Sequence, residues 1–428
     1  MKLATILLFF ILLFAVYQDF PLVNSFGELA KSPIVFLMPF FLLYILNARK
    51  MPVSEYVQVY LLYLGYALVM SVIYTLYLVI KNQSFYVFDQ HLVVKNIKML
   101  AYPICSLLFY QFVYVFLKRT QNLLRLYQVV FAVQITMLVL LLFEAQVYKT
   151  REVFLPFLHS NPEKYWRIRL LTFESSWSGS VVVILTFLPV FFTEYLKRTT
   201  TEKLCVYVIS AFFFFYYTLH SESKGYLFLV LISLLPMLLA YMYKNKRLRY
   251  VLFAALIPLV ITFGIVFGAL RDEILIQLNT SITFGTRFTG YLASLQTFFN
   301  HPFGIGFAPY TEIYTQSIER IVQTEFMQQY NLNEVKMYLE SPQFLSSKTY
   351  FFDHLLFGGL GFLLFFYLFF IRRLRRISKI KNIYPLRIVL VYIILASIFY
   401  LTFHIKYEVW FFLAFLDYFE NNHAHETS

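Results

Sequence analysis

Nothing constrains this chain more than its apolar runs, about twelve of which follow one another with short polar gaps between them. They fall at 3–17, 30–46, 56–80, 99–117, 127–147, 180–196, 204–219, 226–242, 250–270, 349–371, 386–402 and 406–418. Of the 428 residues 60% are hydrophobic and 14% charged, whereas a soluble domain carries roughly 25% charged residues. A water-soluble core cannot bury that excess, so lipid is the solvent for most of it. Lipid offers no partner to a backbone N–H or C=O, so the runs must close their own hydrogen bonds as helices. The expectation is an all-α polytopic membrane protein: one integral-membrane domain over 1–428 with about twelve transmembrane helices.

A net charge of +13 would suggest nucleic acid in a soluble protein. Here the cations cluster in alternate gaps: Arg49-Lys50, Lys118-Arg119, Lys197-Arg198 with Lys203, Lys244 to Arg249, and Arg372-Arg373-Leu374-Arg375-Arg376 with Lys379 and Lys381. That alternation reads as membrane orientation and places both termini in the cytoplasm. No nucleic-acid partner is expected. The first run follows Lys2 like a signal peptide, but Gln18-Asp19-Phe20-Pro21 is a poor cleavage site, so it reads as an uncleaved span. Cys105 and Cys205 have no metal-ligand spacing and read as inert buried thiols. The polar tail, 419–428, is expected to fray.

Two of the remaining, outward-facing loops are long: 148–179 and, between spans nine and ten, 271–348. Both are rich in Phe, Tyr, Leu and Pro, which argues for structure and against disorder. Within the second, Phe288, Tyr291, Leu292, Leu295, Phe298 and Phe299 recur at helical spacing, an amphipathic helix opened by Arg287. It ends at His301-Pro302, and Gly304-Ile305-Gly306 reads as a turn.

Cations on the outer side run against the orientation bias. Arg167 and Arg169 precede Phe173-Glu174-Ser175-Ser176, Lys224 sits in the turn Ser221-Glu222-Ser223-Lys224-Gly225, and Arg287 lies in the large loop. Guanidinium groups bind phosphate through paired, charge-assisted hydrogen bonds. The alternative for each is a solvated loop charge or a side chain snorkelling to the lipid interface. His301 reads as a cap or turn residue, and His159 has no partner in view. Asp353 and His354, an adjacent acid and imidazole near one end of a span, read equally as a catalytic or a structural pair. No nucleotide or metal motif is present, so no cofactor and no metal are expected.

Taken in order, these segments resemble the O-antigen polymerase and O-antigen ligase superfamily. Thr286-Arg287, Tyr291 to Leu295 and Asn300-His301-Pro302-Phe303-Gly304-Ile305-Gly306 are similar to its large-loop arginine, aromatic and glycine turn. Ser221 to Gly225 is similar to its short basic turn, Phe357-Gly358-Gly359-Leu360-Gly361 to the glycine-bearing span that closes the loop, and Arg169 with Phe173 to Ser176 to its first arginine segment. The likeness covers roughly 165–375. One position departs: where family ligases carry a histidine, this chain has Ser347 or Lys348, which favours polymerase over ligase.

The resemblance implies glycosyl transfer at the outer leaflet of a bacterial inner membrane, from an undecaprenyl-pyrophosphate-linked oligosaccharide to an acceptor sugar. A chain-length regulator and a flippase are then the implied partners besides membrane lipid. Arg287 and Arg169 are expected to steady the pyrophosphate, with Arg167 and Lys224 weaker candidates and His301 a binding residue; Glu174, Asp353 and His354 compete as the base. The alternatives are a ligase acting on lipid A core, a peptidoglycan-type glycosyltransferase, and a polysaccharide or lipid transporter or flippase. The lack of an internal repeat and the lopsided large loop count against transport.

Overall fold

The computed structural model describes residues 3–48, 53–147, 152–162, 167–244, 273, 275–342, 345–380 and 383–423. The ninth expected span, 250–270, lies outside them, as do Arg49-Lys50, Lys381 and most of the basic stretch after Lys244.

The architecture is all-α. The helices are α1 (Leu3–Val16), α2 (Met38–Asn47), α3 (Glu55–Asn82), α4 (Leu92–Thr120), α5 (Leu123–Val147), α6 (Ser175–Tyr195), α7 (Thr200–His220) and α8 (Lys224–Lys244). After them come α9 (Ile282–Asn300), α10 (Tyr310–Val322), α11 (Asn333–Glu340), α12 (Tyr350–Phe366), α13 (Tyr384–Phe399) and α14 (Tyr407–His423). Among the described residues six helices are long and apolar enough to cross a membrane: α3 to α7, and α12 with its continuation to Ser378. Shorter apolar helices stand at Ala4–Val16, Pro33–Asn47, Lys224–Met237 and Tyr384–Phe399. The chain is a multi-pass membrane protein.

The local chemistry explains the boundaries. Thr199 caps α7 through a reciprocal pair with Glu202, and the Ser281 hydroxyl accepts from the Phe284 N–H to start α9. That cap starts α9 five residues before Arg287, so the arginine sits in the helix's second turn. The span at α12 passes through a π-turn, Tyr367–Ile371, and continues as helix over Arg372–Ser378.

Two compact units can be distinguished, each drawn from separated stretches of chain. The first takes residues up to Leu61, Leu100–Ser233 and Phe366 onward. Its centre is α6, which packs on α5, α7, α13 and α14. Ser178, Gly179 and Ser180 let neighbours come close: a β-carbon on Gly179 would lie 2.9 Å from the Tyr392 hydroxyl.

The second unit comprises Leu62–Met99 and Leu234–Phe365. A two-residue hairpin pairs Tyr86–Val87 with Gln90–His91, and α9 packs on α10 and α11. The face α9 buries is Gly285, Thr286, Thr289, Gly290, Ala293, Ser294 and Thr297. Its apolar stripe is only half-buried at Phe288, Tyr291, Leu292 and Phe298, and Phe299 is 76% exposed. The helix is amphipathic in an unusual sense: its fully buried face is made of small and hydroxyl residues.

Three expectations need correction. The basic run 372–376 is helix, not loop, and Arg373 is completely buried, bonded to Tyr110 at 2.7 Å and set between Asp417 and Glu420. Two carboxylates and the Tyr56 ring face, 3.6 Å away, offset the several kcal/mol that an isolated buried charge would cost. The tail is ordered as helix to His423, because Glu420 is buried and accepts from Tyr56 at 2.8 Å. Cys205 is exposed and Cys105 partly so; they are not buried thiols.

Candidate functional site

In the first unit the sequence candidates form part of a buried polar network. Asp19, fully buried, accepts from His159 Nδ1 at 2.6 Å, from both the backbone and hydroxyl of Ser160, and pairs with Arg169 at 3.4 Å. His159 therefore has a partner, 140 residues away in sequence. Arg169 also donates to the Asn161 carbonyl at 3.0 Å, while Glu144 receives the Arg169 and Leu170 N–H groups at 2.8 Å each. A guanidinium held this way clamps its loop to the bundle, and its charge is committed to Asp19.

A second network lies alongside in the same unit. Lys406 and Glu408 are each 1% exposed. Gln18 joins them, accepting from Lys406 at 2.7 Å and donating to Glu408 at 2.5 Å, and Ser180 donates to Glu408 at 2.7 Å. Lys406 also donates to the Trp177 carbonyl at 3.1 Å and interacts electrostatically with Glu174. Sequence reasoning missed Asp19, Lys406 and Glu408, although charge at the margin of apolar runs was a usable signal. Glu174 is exposed at the head of α6, where its carboxylate accepts from Ser176 at 3.1 Å. Arg167 and Lys224 are exposed too.

In the second unit the two glycine segments meet. α12 breaks at Gly359, with φ 49° and ψ −128°. The break frees carbonyls that the turn takes up: Ile305 N–H donates to Leu356 O at 2.9 Å and Gly306 N–H to Phe357 O at 3.0 Å. In return Leu360 N–H donates to Pro302 O at 2.8 Å. Gly304 and Gly306 have φ of 86° and 79°, a left-handed region open to glycine. The Tyr66 hydroxyl bonds Phe303 O at 2.7 Å, Ser71 Oγ accepts from Phe307 N–H, and Asn96 accepts from Ala308 N–H at 3.0 Å. Non-helical backbone in a membrane protein persists where its polar groups are satisfied in this way.

Arg287 lies on the helix that runs into this turn. It is partly exposed and hydrogen-bonds Tyr291, whose ring stacks on Phe352 at 4.6 Å. Burial pushes the Tyr291 hydroxyl above its usual pKa, and the guanidinium beside it pulls the other way. Next to Arg287, Thr286 donates to Glu334 at 2.8 Å, Glu334 accepts from Tyr338 at 2.7 Å, and Lys348 donates to Tyr338 at 2.6 Å. Lys348 has φ 64°, strained for a lysine, in a hook fastened by Ser346 and Thr349. Sequence reasoning passed over Lys348 as a candidate.

Asp353 and His354 are not joined into an acid–imidazole pair. Neighbouring helical residues point in different directions: Asp353 accepts from Ser347 N–H at 2.7 Å, whereas His354 Nδ1 meets the Tyr63 hydroxyl at 2.9 Å. Both are buried, and the Tyr350 ring covers His354 at 4.2 Å. His301 closes α9 with its N–H on Thr297 O at 2.8 Å and its Nδ1 2.9 Å from the Tyr74 hydroxyl.

Burial lowers the His301 pKa below its usual value. The unfolded chain then takes up a proton more readily than the folded one, so stability is lost as pH falls through about 6.5, the ordinary histidine value. The thermal midpoint of the purified protein should drop more between about pH 7 and pH 5 than that of His301→Gln. Parallel curves would count against the assignment.

Comparison with known protein families, curated proteins and solved structures finds no match to this chain.

Proposed function

We propose that this protein polymerises oligosaccharide repeat units carried on undecaprenyl pyrophosphate, at the outer face of a bacterial cytoplasmic membrane. In this reading the chain has about twelve spans with both ends in the cytoplasm. The observation that supports it most is the docking of Gly304-Ile305-Gly306 on Gly358-Gly359-Leu360, at the foot of the helix that carries Arg287. Those are the segments on which the resemblance to O-antigen polymerases rests.

The reaction forms a bond between an acceptor hydroxyl oxygen and the anomeric carbon of the donor, and breaks the bond from that carbon to pyrophosphate. The electron pair leaves with the pyrophosphate, and the hydroxyl proton goes to a base. Arg287, with Lys348, is assigned to the developing negative charge. Arg169 is a scaffold residue, since Asp19 neutralises it. Of the three candidate bases, Asp353 and His354 are buried in the unit that carries Arg287, and Glu174 is exposed in the first unit; each remains a candidate. Glu174→Gln should lower the rate of polymerisation by about 100-fold if Glu174 is the base. A variant with an unchanged rate would move the role to Asp353 or His354.

The reading is tested by the glycan profile of a deletion strain, resolved by gel and immunoblot, with and without the gene restored. Single repeat units without a ladder are expected. A ladder made on the carrier lipid but never moved to lipid A core would make the protein a ligase. An unchanged profile would overturn the reading and reopen transport.

A further inference from the structure

The second unit carries an open cleft of about 700 Å³ that no step above uses. Its walls are Asn279 and Thr280 on one side and, on the other, Val322, Gln323, the run 328–333 and Lys336. The polar lining is dominated by amides: Asn279, Gln323, Gln328, Gln329, Asn331 and Asn333. Among the described residues that line it, Lys336 is the one that is charged, and none is a carboxylate.

The frame of the cleft is built, not loose. Asn331 N–H donates to Asn279 O at 2.8 Å, Asn331 Nδ2 reaches Thr280 O at 3.3 Å, and Asn331 Oδ1 accepts from Asn333 N–H at 3.2 Å. Gly285 allows this approach: a β-carbon there would run into the Asn331 carbonyl. Tyr330, also in the lining, is braced by Phe284, Phe288 and Phe326 at ring separations of 5.5, 5.7 and 5.7 Å. Gln323, Gln328, Gln329 and Asn333 remain exposed on this frame.

The lining selects the chemistry. A cleft with a single cation is a poor place for a polyphosphate or a polyanionic glycan, and without carboxylates it is a poor place for a metal ion. Its amides exclude a lipid tail, which would leave them desolvated and unpaired. Each primary amide offers donors and an acceptor in one plane, which matches the neighbouring hydroxyls of a sugar, and a braced tyrosine ring can cover a sugar's C–H face. The volume lies within the range of about 300–1,000 Å³ usual for small-ligand sites.

We propose that this cleft is a binding site for an uncharged saccharide. For which saccharide it takes, the proposal rests on the polymerase reading: it is the glycan repeat itself, so the repeat is built of neutral sugars.

The test uses the full chain, purified in detergent, on an array carrying neutral, uronic-acid-containing and sialylated oligosaccharides. Wild type is compared with Gln328→Ala/Asn333→Ala, two exposed changes whose thermal midpoint is measured alongside. Capture of neutral oligosaccharides is expected, weakened roughly tenfold or more in the variant, the loss of two or three neutral hydrogen bonds, with the midpoint unchanged. Capture of acidic glycans only, capture equal in the two proteins, or no capture would each overturn the proposal. The two readings fail separately. Neutral capture through the cleft with an unchanged deletion-strain profile sinks the polymerase and keeps the site. A lost ladder with no dependence of capture on the cleft does the reverse.

Discussion

Arg287→Ala should abolish polymer while leaving the amount of membrane-inserted protein unchanged. In the proposed transfer pyrophosphate departs with its charge increasing, and a fixed guanidinium would be worth more to that transition state than to the ground state. Removing one such donor costs about 100- to 1,000-fold in rate. Arg287 is suited to this because it is partly exposed, whereas Arg169 is buried against Asp19. Arg287→Lys should recover only part of the activity, since a point charge lacks the paired geometry of the fork. The measurement is ladder length and intensity at matched protein level. Normal-length polymer from Arg287→Ala would remove the residue from the mechanism.

The second large effect is on folding. Gly359 holds φ 49° and ψ −128°, where a side chain is strained by about 1–3 kcal/mol. A β-carbon there would also run into the Pro302 carbonyl and sit 2.6 Å from the carbonyl carbon of Phe303. Relief requires the turn to lift off α12, which exposes or orphans the N–H groups of Ile305, Gly306 and Leu360, at about 1–3 kcal/mol for each one left buried and unpaired. Gly359→Ala should therefore lower the thermal midpoint by roughly 10 °C, or prevent accumulation of the protein. Gly65→Ala is the control, because a β-carbon at Gly65 meets nothing within 4 Å and alanine favours a helix. Equal midpoints for the two variants would show that the glycine docking is not holding the unit together.

Local features of the fold were legible in the sequence, and the pairings between distant residues were not. Runs such as 56–80 and 127–147 show as helices because each closes its own hydrogen bonds, whatever it packs against. The turn at Gly304 and Gly306 was legible for the same reason, since a left-handed backbone needs glycine wherever it occurs. The amphipathic period of α9 was visible too. Which face it buries was not, because small and hydroxyl residues, not the apolar stripe, make the close contact with the rest of the unit.

The network around Asp19 joins residues far apart in the chain, through Arg169 and His159. No spacing rule links them. Arg373 looked like one more cation of an orientation cluster, and what distinguishes it is a pair of acids on the last helix. Asp353 and His354 misled by being adjacent, since consecutive helical residues diverge. The motifs at 304–306 and 358–361 were each visible in isolation, but nothing in either spells out that one supplies the hydrogen-bond partners of the other.

The most direct test is a reaction with three components: the purified chain in detergent or nanodiscs, undecaprenyl-pyrophosphate-linked repeat units isolated from a strain lacking the gene, and buffer. Neither nucleotide sugar nor lipid A core is added. A ladder of lipid-linked polymer, growing with time in wild type and absent with Arg287→Ala, is the predicted result. Repeat units that remain single with well-folded wild-type protein would contradict the account.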